Sequence, residues 1–287
     1  MSLSGPEVKA KSASGWKPEL AVIGGSGLCC FPELNSIEYV DITTPYGPTS
    51  GQILIGEHQG KVIAFLPRHG EKHSWPPHRV PYKANLWALK EVGVRHVIGT
   101  CIAGSLRRSL MPGSLVVLDQ FVNLTWGRDD HFDTDKSFLH LPMANPYCLE
   151  MRMLLLETAR KLSMEVVPTG TVAVIQGPRF STRAESEWFK KNGWDLVNMT
   201  QYPECYFARE LGLCYSAVSA ITDYDVGVGN ALTMDLSDLS NRGVVLEVFR
   251  ENIKKTKQLL LGFIELMSGR MRCHCAESSI KAYYEED

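Results

Sequence analysis

The chain has 287 residues, of which 44% are hydrophobic and 22% charged, with 24 glycines and 15 prolines. This is ordinary globular composition, long enough to bury its own core, and it excludes collagen, coiled coil and wholesale disorder. With 30 basic and 32 acidic side chains the formal charge is −2, which offers no basis for holding nucleic acid by phosphate charge.

Residues 1–18 are polar, lack the apolar stretch of a secretory leader, and read as a disordered arm. The expected location is the cytoplasm, and no run of about 18 apolar residues offers a membrane span. A β-rich run at 20–23 ends at Gly24-Gly25-Ser26-Gly27. Residues 52–55 and 62–66 read as strands. Residues 82–92 have helical spacing and stop at Gly93. Runs at 94–99 and 114–118 are strand-like. A long amphipathic helix covers 146–162, with Leu149, Met153, Leu156 and Ala159 on one side. Then come a strand at 170–175, a helix at 183–191, a strand at 196–198, a helix at 202–211 and a strand at 215–222. A closing helix runs over 244–267. Continuous apolar strands separated by helices predict an α/β fold whose central sheet, mostly parallel or mixed, is covered on both faces. The expected organisation is one domain over 19–268 with a tail over 269–287. Residues 226–243 are polar and without period, either a lid or a plain surface insertion.

Eight cysteines, at 29, 30, 101, 148, 205, 214, 273 and 275, are too sparse for a disulfide scaffold and read as mostly buried free thiols. No metal site is expected. Cys273-His274-Cys275 alone has too few ligands, and no second pair stands at C-x-x-C spacing.

The polar motifs fall at strand ends, where α/β sheets bind ligands. Gly24-Gly25-Ser26-Gly27 fits close approach to an anion or a tight turn, and it fails the dinucleotide, P-loop and nucleophile-elbow fingerprints. Pro67-Arg68-His69-Gly70 supplies a planar charged fork suited to phosphate and a titratable donor, or is a surface turn. Residues 100–105 are small enough for main-chain N–H donation, or for mere close packing. Asn198 and Thr200 are interior polar groups that need partners. Asp223 and Asp225, two apart on a strand, face the same way; if close, one holds a raised pKa and acts as proton donor, and otherwise they form a solvated turn. The inventory holds no nucleophile–base pair, which fits group transfer to phosphate better than acyl transfer.

Blocks VIGGSGL at 22–28, PRHG at 67–70, PYKANLWALKEVGV at 81–94, AGSL at 103–106, DQFVNLT at 119–125, LPMANPYC at 141–148, QGPRFSTRAES at 176–186, NMTQYPE at 198–204 and TDYD at 222–225 occur in one order. With them the chain resembles the trimeric purine nucleoside phosphorylase family, most closely its methylthioadenosine-cleaving branch. The resemblance implies a homotrimeric pentosyltransferase of purine salvage. It would cleave 5′-methylthioadenosine to adenine and 5-methylthioribose 1-phosphate, with inorganic phosphate as co-substrate and no other cofactor. It also implies phosphate contacts from Ser26, Arg68, His69, the main chain near Ile102, and Thr200. Met199 would lie against the ribose and Phe180 on the purine, with Ser181 and Ala103 nearby. Asp223 and Asp225 would address N7 and the 6-substituent. His140 would reach a neighbouring subunit's 5′ pocket, and Val245 would stand near the 5′ group. Because 6-oxopurine relatives carry Asn at the position of Asp223, an adenine nucleoside is favoured over inosine or guanosine.

Two departures accompany the resemblance. Arg242 stands where the branch keeps a small apolar residue, and Cys101 replaces a hydroxyl in the phosphate loop. The family's cysteine pairing implies Cys148–Cys214 and Cys273–Cys275 as candidate disulfides. Alternatives are a phosphorylase for adenosine or 6-oxopurine nucleosides and, in a different class, a non-catalytic nucleoside-binding protein.

Overall fold

The computed structural model describes residues 15–28, 33–132, 140–226, 228, 241–267, 271 and 273–280. Most of the expected N-terminal arm, the 226–243 segment and the tail therefore lie outside the described residues, as do Cys29, Cys30 and the side chain of Arg242.

The strands are β1 Leu20–Gly24, β2 Asn35–Val40, β3 Ile53–His58, β4 Lys61–Pro67, β5 His96–Ser105, β6 Leu115–Val117, β7 Gln120–Leu124, β8 Val166–Val167, β9 Thr171–Ile175, β10 Leu196–Asn198 and β11 Cys214–Tyr224. The helices are α1 Tyr82–Glu91, α2 Leu149–Lys161, α3 Arg183–Lys191, α4 Gln201–Glu210, α5 Asn241–Leu266 and α6 Cys275–Ile280. One mixed sheet runs β2-β3-β4-β1-β5-β10-β9-β7, and β11, β6 and β8 branch from it at β5.

Both faces of the sheet are buried, which is why its central strands read as unbroken apolar runs. Alternate residues of β1 separate the two layers. Ala21 and Ile23 join a core that holds Leu86 and Leu89 of α1 with Phe207 and Ala208 of α4. Leu20 and Val22 join one that holds Met151 and Leu155 of α2 with Leu260 and Phe263 of α5. The expected stripe on α2 is off by one face: Leu149 and Met153 are 65% and 57% exposed, while Met151, Leu155, Thr158 and Ala159 are buried. That helix is apolar on more than one side, so periodicity alone does not choose the buried one.

Strand β5 positions the site. On one edge β1 pairs with it in parallel from Leu20↔His96 to Ile23↔Gly99, and β10 pairs antiparallel only at Leu196↔Ser105 and Val197↔Gly104. Between them that edge of β5, residues 100–103, has no strand partner among the described residues. The other edge is covered by β11 from Cys214↔His96 to Tyr224↔Ser105. The β11 register shifts between Ile221, opposite Ala103, and Asp223, opposite Gly104, so Thr222 is the extra residue of a bulge.

The six described cysteines are free thiols. Neither candidate disulfide is present, and the sulphurs of Cys214 and Cys273 are 2.8 Å apart, longer than an S–S bond. Cys148, Cys214, Cys273 and Cys275 nevertheless converge, with all four sulphurs within 4.8 Å of one another. Local spacing offers no second cysteine pair beside Cys273 and Cys275, but the fold brings one from two distant segments, the start of α2 and the start of β11.

Candidate active site

Gly25 leaves β1 with its N–H donating to Thr100 Oγ1 at 3.0 Å. A Cβ there would sit 2.5 Å from the Thr100 carbonyl and 3.0 Å from Arg68 Nη1, so glycine is needed to bring the loop against β5. Ser26 follows at the rim.

Arg68 leaves β4 in the same direction and is fully buried. Its Nε donates to Glu204 Oε2 at 2.5 Å, its Nη2 to Glu204 Oε1 at 2.6 Å, and its Nη1 to the Thr100 carbonyl at 2.6 Å. Glu204 Oε1 also accepts from the Tyr215 hydroxyl at 2.7 Å. Burial disfavours the guanidinium charge, but the Glu204 carboxylate more than offsets it and the pKa of Arg68 rises above its ordinary value. Gly99 makes the space: a Cβ there would meet the Tyr215 hydroxyl and stand 2.8 Å from Glu204 Oε1. Three of the five guanidinium N–H groups are thus committed, and two are left over.

His69, next along, donates from Nδ1 to the Trp75 carbonyl at 2.8 Å. Burial and the neighbouring Arg68 charge depress its pKa to about 4. At neutral pH its Nε2 is therefore an unprotonated acceptor, not the second donor expected from the sequence.

The rest of the site is built from β9, β10 and β11. After β10, Asn198 Nδ2 points to Cys101 Sγ at 3.3 Å, and Met199 and Thr200 turn into α4. In β11 the Thr222 hydroxyl donates to Asp223 Oδ1 at 2.6 Å. Asp225 lies past the strand end, its N–H donating to the Ser105 carbonyl at 2.9 Å. Burial raises the Asp225 pKa, opposed by the nearby Ser186 and Ser181 hydroxyls. The expected cause was a paired carboxylate; desolvation dominates instead, and the like charge that contributes is Glu185. Ser181 and Phe180 are presented just before α3. That helix opens with a capping box in which Thr182 Oγ1 accepts from the Glu185 N–H at 3.2 Å and Glu185 accepts from the Thr182 N–H at 2.7 Å.

These groups share one cavity of about 500 Å³, within the size range of small-molecule sites. It is lined by Ser26, Arg68, His69, Ile102, Ala103, Phe180, Ser181, Met199, Thr200, Asp223 and Asp225, together with Cys101, Asn198 and Thr222. His140 is exposed and Val245 buried on α5, and neither lines it. Ser181 Oγ, Asn198 Oδ1 and Asp225 Oδ2 are buried there without a hydrogen-bond partner, and such groups are costly unless something completes them. Residues that the sequence did not single out complete the site: Glu204 behind Arg68, and the segment from His73 to Pro77 on the wall. The signal for Glu204 was its place on a helix whose neighbours are apolar, since a carboxylate buried there needs a cation.

The chain matches the model of the phosphorylase superfamily over residues 19–265. It is 39% identical over 266 residues to the S-methyl-5′-thioadenosine phosphorylase of Nitrosopumilus maritimus, covering 93% of this chain and 98% of the relative. It is 42% identical over 269 residues to the purine nucleoside phosphorylase of Streptomyces coelicolor, covering 90% and 93%. Among solved structures it is similar to the methylthioadenosine phosphorylase of Schistosoma mansoni in complex with tubercidin. There the TM-score is 0.83 and the identity 34%, with 93% of this chain and 98% of that one covered. Similarity of that length, in sequence and in backbone, makes this chain a member of the phosphorylase superfamily.

Proposed function

We propose that the cleft catalyses phosphorolysis of 5′-methylthioadenosine to adenine and 5-methylthioribose 1-phosphate. The observation that carries this reading is the pairing within one cavity of a buried cation at one end with two carboxylates at the other.

Phosphate sits at the Arg68 end. The two uncommitted guanidinium N–H groups and the Ser26 and Thr200 hydroxyls hold its oxygens. The Ile102 N–H joins them: backbone groups alternate between strand edges, so Ile102 faces the same open edge as the Thr100 carbonyl that Arg68 holds. His69 Nε2 accepts the hydroxyl proton of hydrogen phosphate, which selects that oxyanion over a fully deprotonated one. Met199 lies against the ribose and Phe180 against the purine face, with Ser181 and Ala103 beside it.

The C1′–N9 bond breaks with its electron pair leaving on the purine. The phosphate anion faces the positive charge that develops at C1′ and then bonds to it. Asp223 shares a proton with N7 and discharges the leaving base. Asp225 addresses the 6-substituent through its carboxylate. A carboxylate that accepts from a 6-amino group disfavours a 6-oxo group, so adenine nucleosides are the preferred class.

The finer assembly is also part of the proposal: a homotrimer in the cytoplasm, with His140 completing a neighbour's 5′ pocket and Val245 near the 5′ group. Leu149 and Met153, exposed one turn apart on α2, support self-association as an apolar patch. No helix among the described residues is long and apolar enough to cross a membrane.

The test is a panel of methylthioadenosine, adenosine and inosine with and without phosphate. Methylthioadenosine cleavage is expected to stall when phosphate is withdrawn; unchanged turnover means hydrolysis and rejects the reading. Faster inosine cleavage assigns the chain to the 6-oxopurine class. Asp223→Asn is expected to cut kcat on methylthioadenosine about 100-fold with little change in KM; intact turnover removes Asp223 as the acid.

A further inference from the structure

We propose that Cys148, Cys214, Cys273 and Cys275 bind one zinc ion, in a closed tetrahedral site that fastens the C-terminal segment to the core. Three separated pieces of chain bring the sulphurs together. Cys148 is the residue before α2, Cys214 opens β11, and Cys273 and Cys275 flank the start of α6. The backbone already ties the first two segments, with the Cys148 N–H donating to the Tyr215 carbonyl at 2.7 Å.

The arrangement distinguishes a metal from two disulfides. A disulfide needs each sulphur to have one close neighbour. A tetrahedral ion needs each to be near the other three, and that is the condition met here, with all four within 4.8 Å of one another. Zinc–sulphur bonds of about 2.3 Å put ligand sulphurs about 3.8 Å apart along each tetrahedral edge. The Cys214–Cys273 separation of 2.8 Å lies between an S–S bond and that edge, so this pair opens by about 1 Å around the ion. Four soft thiolates without oxygen or imidazole select zinc among the abundant divalent ions. His274, between the two tail ligands, is not a competitor: it is exposed, and its Nδ1 faces Glu277 Oε1 at 3.0 Å.

Cys148, Cys214 and Cys275 are buried in the apolar layer formed with α2 and α5, while Cys273 stands at its margin. Four thiolates on one zinc carry a net charge of −2. Arg209, on the helix that packs against α6, is buried and close enough to Cys275 to act on it through its charge. Binding is redox-neutral: four thiols release four protons and one zinc ion accepts four sulphur electron pairs. All four positions are taken by protein, so the ion has no open site and its role is structural. It is also remote from the cleft. Cys214 and Asp223 occupy opposite ends of β11, nine residues apart, or roughly 30 Å along an extended strand.

The full-length chain, expressed with zinc in the medium and purified under a phosphine reductant without chelator, is expected to carry about one zinc per chain by elemental analysis. Its denatured intact mass should match the fully reduced sequence. Cys275→Ser and Cys273→Ser should each lower the zinc content at least fivefold, while Cys205→Ser, whose sulphur is outside the cluster, keeps it. Cobalt added to chelated protein should give the intense absorption bands of tetrahedral thiolate coordination, absent from the double tail variant. Cys148 and Cys214 are buried in the core, where a substitution also perturbs folding, so the tail variants carry the decision. Metal-free protein 2 or 4 Da lighter than the reduced sequence means disulfides and overturns the proposal, as does metal-free protein with four reactive thiols or iron in place of zinc.

Discussion

At the Arg68 end of the cleft, three guanidinium N–H groups, both Glu204 oxygens and the Tyr215 hydroxyl are matched with one another. At the Asp225 end, Asp225 Oδ2 and Ser181 Oγ are buried without partners, and Phe180 is 54% exposed. The first end is organised before any ligand arrives, because a buried cation is tolerable only with its counter-ion in place. The second leaves polar groups for a ligand to complete. An oxyanion therefore meets a rigid seat, and the base meets a surface that the base itself finishes.

The sharpest way to break the contrast is Glu204→Gln. It leaves Arg68 buried with a neutral partner, and the expected loss is about 3–5 kcal/mol of stability with a large rise in the KM for phosphate. Urea unfolding and phosphate-dependent kinetics check it; a change of under 1 kcal/mol would mean that the pair is not the keystone of that end. A second lever is pH. The folded state holds His69 neutral with a pKa of about 4, against an ordinary 6.5 in the unfolded chain. The unfolded state binds more protons between those values, so this contribution to stability is present above pH 6.5 and lost as pH falls towards 4. Relative to His69→Gln, the wild type should lose up to about 3 kcal/mol between pH 7 and pH 4 in paired denaturation curves. A constant gap would show that His69 titrates normally. The smallest effect belongs to the base end. Thr182→Ala removes the α3 cap just after Phe180 and Ser181, costing about 1 kcal/mol in a thermal melt. It should weaken adenine binding more than phosphate binding, and equal weakening of both would deny the independence of the two ends.

Much of the sheet was legible because burial on both faces writes itself as continuous apolar runs, as in β1, β4, β5 and β11. Helix α3 was read with its true bounds, since its apolar and polar faces are distinct. Strand β2 was missed because it is an edge: most of Asn35–Val40 is exposed, so its composition is polar. Strand β8 is only two residues long. The cleft residues were legible as polar groups at strand ends. What local reading could not reach were relations between distant positions. Glu204 lies 136 residues from Arg68: an acid among apolar neighbours calls for a buried cation, but nothing near it in sequence says which one. Cys148 and Cys214 read either as core thiols or as a pair with each other, and only the fold sets them beside the tail. His69 was visible, but its protonation state depends on Trp75 and Arg68 being packed around it.

The bulge at Thr222 gives β11 a sensitivity that side-chain chemistry does not capture. Regular alternation would put residue 223 on the same face as Ile221, which is fully buried in the core. The added residue re-aims Asp223 into the cleft. Deleting one residue from this stretch would leave every functional group in the sequence and still turn the carboxylate away from its substrate. At this end of the molecule the count of residues is under tighter constraint than most of their identities, and insertions or deletions here should inactivate where many conservative replacements do not.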